Sequence, residues 1–107
     1  MIVVNRFRVE EADGERFRSD VHAALEALAA RPGYLDGQVG RNVDDPLLWV
    51  LTTTWANVGS YRRALSAYDV KLAAGPLLSR ALDEPSAYEP VGPDGEVLNQ
   101  ARPRELD

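Results

Sequence analysis

The chain has no cysteine and one histidine, His22, among its 107 residues. The missing thiols exclude a disulfide framework, a thiolate zinc site, iron–sulfur ligation and a cysteine nucleophile. A lone histidine excludes a multi-histidine metal site within one chain. Positive charge is in short supply: 12 Lys+Arg stand against 17 Asp+Glu, a formal net charge of -5. Binding to a phosphate backbone needs a basic face, so no nucleic-acid partner is expected. No apolar run approaches the roughly 18 residues of a membrane span, and no signal peptide opens the chain. A cytoplasmic protein without a membrane partner is expected. Paired-carboxylate sites, phosphate-cradling glycine loops, nucleophile elbows and metal motifs are also missing, so neither metal nor cofactor is expected.

What is present suits one ordinary globular domain: 45% hydrophobic and 27% charged residues over a length that supports a single core. Residues Ile2 to Val9 alternate and are rich in β-branched side chains, which predicts a strand. Val3, Asn5, Phe7 and Val9 share one face of it, and Ile2, Val4, Arg6 and Arg8 the other. Asp13-Gly14 marks a turn. Phe17, Val21, Ala24, Leu25 and Leu28 form one buried stripe, predicting a first helix from about Glu15 to Ala30 that Pro32-Gly33 ends. Tyr34 to Val43 reads as a weaker strand in which Gly37 and Gly40 imply a bulge or a close backbone approach. Leu47 to Trp55 is apolar on both parities, as a central strand would be.

Asn57 is placed to cap a second helix whose stripe is Tyr61, Ala64, Leu65 and Tyr68. Gly75-Pro76 breaks that helix and restarts a short one through Leu82. Ser86 to Val91 reads as an edge strand. Residues 1–91 thus form the domain, and 92–107 a polar tail with only Val97, Leu98 and Leu106 to bury. The element order predicts an α+β fold: a split βαβ arrangement with one antiparallel sheet and its helices on one face. Val4, Leu48 and Val50 would then lie on the uncovered side. A bare apolar sheet face is rare in a monomer, so a two-fold homodimer packing sheet on sheet is expected.

Three segments, VVNRFRV on the first strand, RPGYLDGQVGRNVDD after helix one and LLWVLTTTWANVGSYRRAL into helix two, resemble the antibiotic biosynthesis monooxygenase superfamily. The resemblance spans roughly Ile2 to Val91. It implies a ferredoxin-like protomer with a four-stranded antiparallel sheet, a homodimeric α/β barrel, and a pocket between sheet and helices. Quinone-forming members that need no cofactor use a strand Trp, a helix Tyr, an Asn four before the Trp, and an Arg. Trp55 and Tyr61 match the first two. The Asn position holds Leu51, and Lys71 and Arg80 are the nearest candidates for the Arg. Heme-degrading members use a first-strand Asn, a helix Trp and a His ligand. Asn5 matches the first, but the other two positions hold Ala64 and Ala74.

The candidate catalytic residues are Asn5, Trp55 and Tyr61. A buried carboxamide must find a partner, and Asn5 could hold a substrate oxygen or dioxygen. A Trp wall with a phenol beside it suits a flat aromatic substrate, through stacking area and one orienting hydrogen bond. Trp49, Leu51 and Tyr68 are expected to contact the substrate. His22 flanks the buried stripe about 100° round the helix and reads as a surface or interface residue. The expected activity is oxidation of a phenolic or polycyclic aromatic by O2, the substrate supplying the electrons. The alternative is a non-catalytic, dimeric small-ligand binding or stress-related protein of the same fold, which Leu51 favours. Heme degradation comes third.

Overall fold

The structure, a computed structural model, describes residues 1–97. Its elements are β1 (Ile2–Arg8), a 3-10 turn (Glu11–Asp13), α1 (Gly14–Ala29), β2 (Tyr34–Arg41), β3 (Leu48–Trp55), α2 (Val58–Ser66), α3 (Tyr68–Ala73), α4 (Gly75–Leu78) and β4 (Ala87–Tyr88). The strands form one sheet in the order β2-β3-β1-β4, antiparallel throughout. This is the α+β, ferredoxin-like architecture that the element order predicts.

The two central strands set the layers. In the β1–β3 ladder Val3 faces Thr53, Asn5 faces Leu51 and Phe7 faces Trp49. Alternation puts these residues on one face, and all but Asn5 are buried. Phe17, Val21, Ala24 and Leu28 of α1 pack onto that face. Phe17 joins it to the sheet through ring contacts to Phe7 at 5.0 Å and Trp49 at 5.2 Å between centroids. Val4, Leu48 and Val50 point the other way and are only half-buried, while Ile2 is exposed.

Asn57 caps α2 as its position predicts. Its Oδ1 accepts from the Ser60 amide at 2.9 Å and from the Ser60 hydroxyl at 3.1 Å. The end of α1 is fixed by Gly33, whose φ of +90° an L side chain rarely adopts. Its carbonyl accepts from the Ala56 amide at 2.8 Å, which ties the α1–β2 turn to the start of the α2 turn. At Gly37 the backbone comes close to the helix layer. A Cβ there would sit 2.7 Å from the Tyr34 hydroxyl and 2.8 Å from a Leu25 methyl.

Several boundaries differ from expectation. The turn ends at Asp13 as a 3-10 turn, and Gly14 is already the first residue of α1, one before the expected Glu15. β2 stops at Arg41, so Val43 is exposed, and its irregularity falls between Tyr34 and Asp36 rather than at a glycine. The second helix does not run to Gly75. Ala67 adopts extended angles (φ -69°, ψ 139°), which rotates α3 out of phase with α2. Tyr68 therefore leaves the predicted buried stripe and is 73% exposed. The last short helix ends at Leu78, not Leu82.

β4 is two residues rather than the six of Ser86 to Val91. It pairs with β1 through Ile2–Tyr88 and Val3–Ala87, and two flanking bonds extend the contact: Val4 N to Ser86 O at 2.7 Å and Leu82 N to Arg6 O at 2.8 Å. A bidentate ion pair joins Arg6 to Glu84, both contacts 2.7 Å. Beyond β4, Val91 and Val97 bridge across a turn, and both are exposed rather than buried. Leu98 and Leu106, expected to be the tail's other apolar contacts, lie outside the described residues.

Candidate active site

The sheet end formed by Met1 and Trp55 carries the best-developed site. The Trp55 amide donates to the Met1 carbonyl at 2.8 Å, and the Met1 amino group donates to the Trp55 carbonyl at 3.0 Å. Trp55 is fully buried, and its indole Nε1 donates to the Thr53 hydroxyl at 2.8 Å. That bond satisfies the one polar atom of the ring and fixes its plane. Two tyrosines flank it: Tyr34 edge-on at 5.5 Å and Tyr61 tilted at 5.6 Å between centroids.

Tyr61 sits on α2, one turn past its cap, and its ring borders a groove of about 490 Å³. Met1, Val58 and Leu65 give the groove an apolar lining, Arg62 stands beside Tyr61, and Ser86 to Glu89 form the opposite wall. Burial pushes the Tyr61 phenol above its usual value. Desolvation penalises the phenolate, so at neutral pH this hydroxyl is a hydrogen-bond donor and a poor base. It makes no hydrogen bond to protein among the described residues. Tyr88 is turned back on its own loop, its hydroxyl donating to the Pro85 carbonyl at 3.3 Å. Trp55 thus forms the rigid backing of the groove rather than its surface.

The other sequence candidates are dispersed. Asn5 is half-buried on the same sheet face, paired with Leu51 rather than with Trp55. Four strand residues separate the two levels, about 13 Å at 3.3 Å per residue. Leu51 is buried in the core. Trp49 lies six residues from Trp55, about 20 Å away at the opposite end of β3. Its ring packs on Phe17, with the Arg41 guanidinium 5.5 Å from its centroid. Tyr68 is on the outer side of α3, exposed beside Leu72. Lys71 is exposed on the same helix, and Arg80 lies over the Phe17 ring at 5.6 Å, remote from Tyr61.

Arg62, Tyr88 and Met1 were not among the sequence candidates, yet they line the groove. Arg62 had a findable signal, since it adjoins Tyr61. Met1 and Tyr88 had none, because only the pairing of β4 with β1 brings them there. Among the described residues no group of three or more His, Asp or Glu could hold a metal ion. None of the described helices is long and apolar enough to cross a membrane.

A strand-end indole backing a helix phenol thus lies under a split βαβ sheet, and comparison with known proteins places this architecture in a family. The antibiotic biosynthesis monooxygenase family model matches residues 1–74, and the chain belongs to that family. It is similar to SnoaB, a cofactor-independent oxygenase from Streptomyces nogalater: 25% identity, 86% of this chain and 94% of that one, TM-score 0.69. A second SnoaB structure gives 27% identity over 76% and 82% of the two chains, TM-score 0.65. A conserved protein from Methanosarcina mazei shares the fold at 22% identity, covering 80% and 84%, TM-score 0.66. No curated protein sequence matches the chain significantly.

Proposed function

We propose that this protein is a cofactor-independent monooxygenase that oxidises a phenolic or polycyclic aromatic with O2 in the Tyr61 groove. The observation that carries this reading is the neutral, unpartnered Tyr61 hydroxyl set against the buried Trp55 ring at the edge of an apolar groove. The similarity to a cofactor-independent oxygenase at 25% identity supports it. Tyr61 would donate a hydrogen bond to the substrate oxygen and so stabilise the substrate anion. The groove would hold the ring system, and the proton would leave to water at the open mouth. That electron-rich anion then reduces O2 itself. One oxygen atom enters as a ring carbonyl and the other leaves as water, so the four electrons O2 takes come from one substrate methylene. The protein's part is positioning and desolvation.

The test is O2 uptake by metal-free protein with an anthrone substrate. Tyr61→Phe is expected to lower kcat/KM by about 10- to 100-fold, the value of one hydrogen bond to a charged oxygen. The same variant has a stability signature. A phenol whose folded-state pKa is raised contributes stability that is complete below its ordinary value of about 10. That contribution is lost as pH rises through the folded value, and Tyr61→Phe should remove this part of the alkaline destabilisation. Failure of the wild-type protein to consume O2 with a broad aromatic panel would overturn the oxygenase reading. It would favour a non-catalytic small-ligand protein instead. Leu51 supports that second reading: it places a buried aliphatic side chain opposite Asn5 where an oxygenase of this type carries an amide.

We also propose that the working unit is a homodimer. Ile2, Val4, Leu48 and Val50 form an aliphatic band on the face the helices leave uncovered. Light scattering should give twice the protomer mass, and Val50→Lys should shift it towards the protomer. A protomer mass for the wild type at micromolar concentration would remove the proposal.

A further inference from the structure

At the far end of β3, a second cleft of about 260 Å³ opens along the β2 edge, on the helix side of the sheet. Arg18 and His22, one turn apart on α1, form one wall. Val39, Gly40 and Arg41 of β2 form the other, and Trp49 closes the inner end. It shares no residue with the Tyr61 groove. The chain carries 17 acidic against 12 basic side chains, yet no carboxylate lines this cleft. The nearest described ion pair is a loose, exposed contact of Arg18 with Glu15 at 3.5 Å. Arg41 makes no ion pair among the described residues. Its guanidinium carbon instead lies over the Trp49 ring, 5.5 Å from the centroid and within cation–π range.

Two guanidiniums on opposite walls, with no carboxylate lining the cleft and the Trp49 ring beside them, make an electropositive cleft next to an aromatic surface. We propose that the cleft binds a planar aromatic carboxylate, the carboxylate held between Arg18 and Arg41 and the ring lying on Val39 and Gly40 against the Trp49 edge. The space suffices, since an engineered cavity of about 150 Å³ holds benzene. Arg is suited to this task because its fork of donors matches a carboxylate's two oxygens. The site is independent of the oxygenase reading and persists whatever the Tyr61 groove does.

Titration of ¹⁵N-labelled protein with benzoate tests it, because the two indole signals, Trp49 and Trp55, report the two ends of β3 separately. Saturable shifts of the Trp49 indole and the Gly40 amide are expected, with the Trp55 indole unmoved. Arg18→Gln and Arg41→Gln should each weaken binding by about tenfold, the value of one charge-assisted hydrogen bond at a partly screened site. Benzyl alcohol, which keeps the ring and loses the charge, should give no saturable shift. The unmoved Trp55 signal verifies that each variant is folded. Shifts that are absent, or unchanged in both arginine variants, would overturn the proposal. So would inorganic phosphate moving the same signals with equal affinity, which would reduce the cleft to a plain anion site.

Discussion

Trp55→Ala is expected to cost about 3–5 kcal/mol of folding stability, the range for removing a large buried aromatic. A domain of this size has about 5–15 kcal/mol in total, so the variant would sit near the unfolding threshold. The reason lies in what the ring does. It is fully buried, touches Tyr34 and Tyr61, and carries one polar atom that Thr53 satisfies. Thr53→Val isolates the last of these. It keeps the shape, leaves Nε1 unpaired and should cost about 1–3 kcal/mol. Urea denaturation of the two variants separates packing from hydrogen bonding. A loss below about 1 kcal/mol for Trp55→Ala would show that the indole is not a core anchor. Tyr61 should lose its backing in that variant, so O2 uptake would fall with the structure otherwise intact at low temperature.

Gly33→Ala is the second large effect, expected at about 2–5 kcal/mol. Two penalties add. An L residue at φ +90° is strained by roughly 1–2 kcal/mol. The new Cβ would also fall within van der Waals overlap of the Ser60 Cβ and Oγ, an overpacking cost of about 1–3 kcal/mol. Ser60→Gly removes the overlap and leaves the strain, so the double variant should recover roughly half of the loss. No recovery would mean that Ser60 does not form the obstacle. The site would feel the shift, because Gly33 is bonded to Ala56 and Ser60 belongs to the first turn of α2, which carries Tyr61.

The fold was legible wherever period and punctuation agreed. Phe17, Val21, Ala24 and Leu28 lie where the helical stripe puts them, and the alternation of β1 and β3 assigns each side chain to the face it occupies. Asn57 capped its helix as its side chain dictates. Legibility failed where no residue type announces the change. Ala67 has no local reason to be extended, so Tyr68 kept its place in a stripe that the chain abandons. Trp49 and Trp55 share a strand face, which invites one pocket. Six residues of extended chain separate them by more than any small substrate spans. The Trp55–Tyr61 contact could be read in advance because a short strand-to-helix turn leaves it few alternatives. The wall from Ser86 to Glu89 could not, since its place depends on pairing across more than 80 residues.

That wall has an unusual attachment. Only two residues of β4 sit in the ladder, and Arg6 and Glu84 clamp the incoming segment to the outer face of β1. Arg6 holds the Glu84 carboxyl below the usual carboxylate range through their hydrogen bonds, so the clamp survives mild acid and releases only as pH falls through that lowered value. Both partners are partly exposed, which makes the clamp sensitive to salt as a backbone ladder is not. The segment leading into that wall is thus held by two kinds of contact with different responses: added electrolyte weakens the Arg6–Glu84 pair and leaves the backbone bonds to β1 in place.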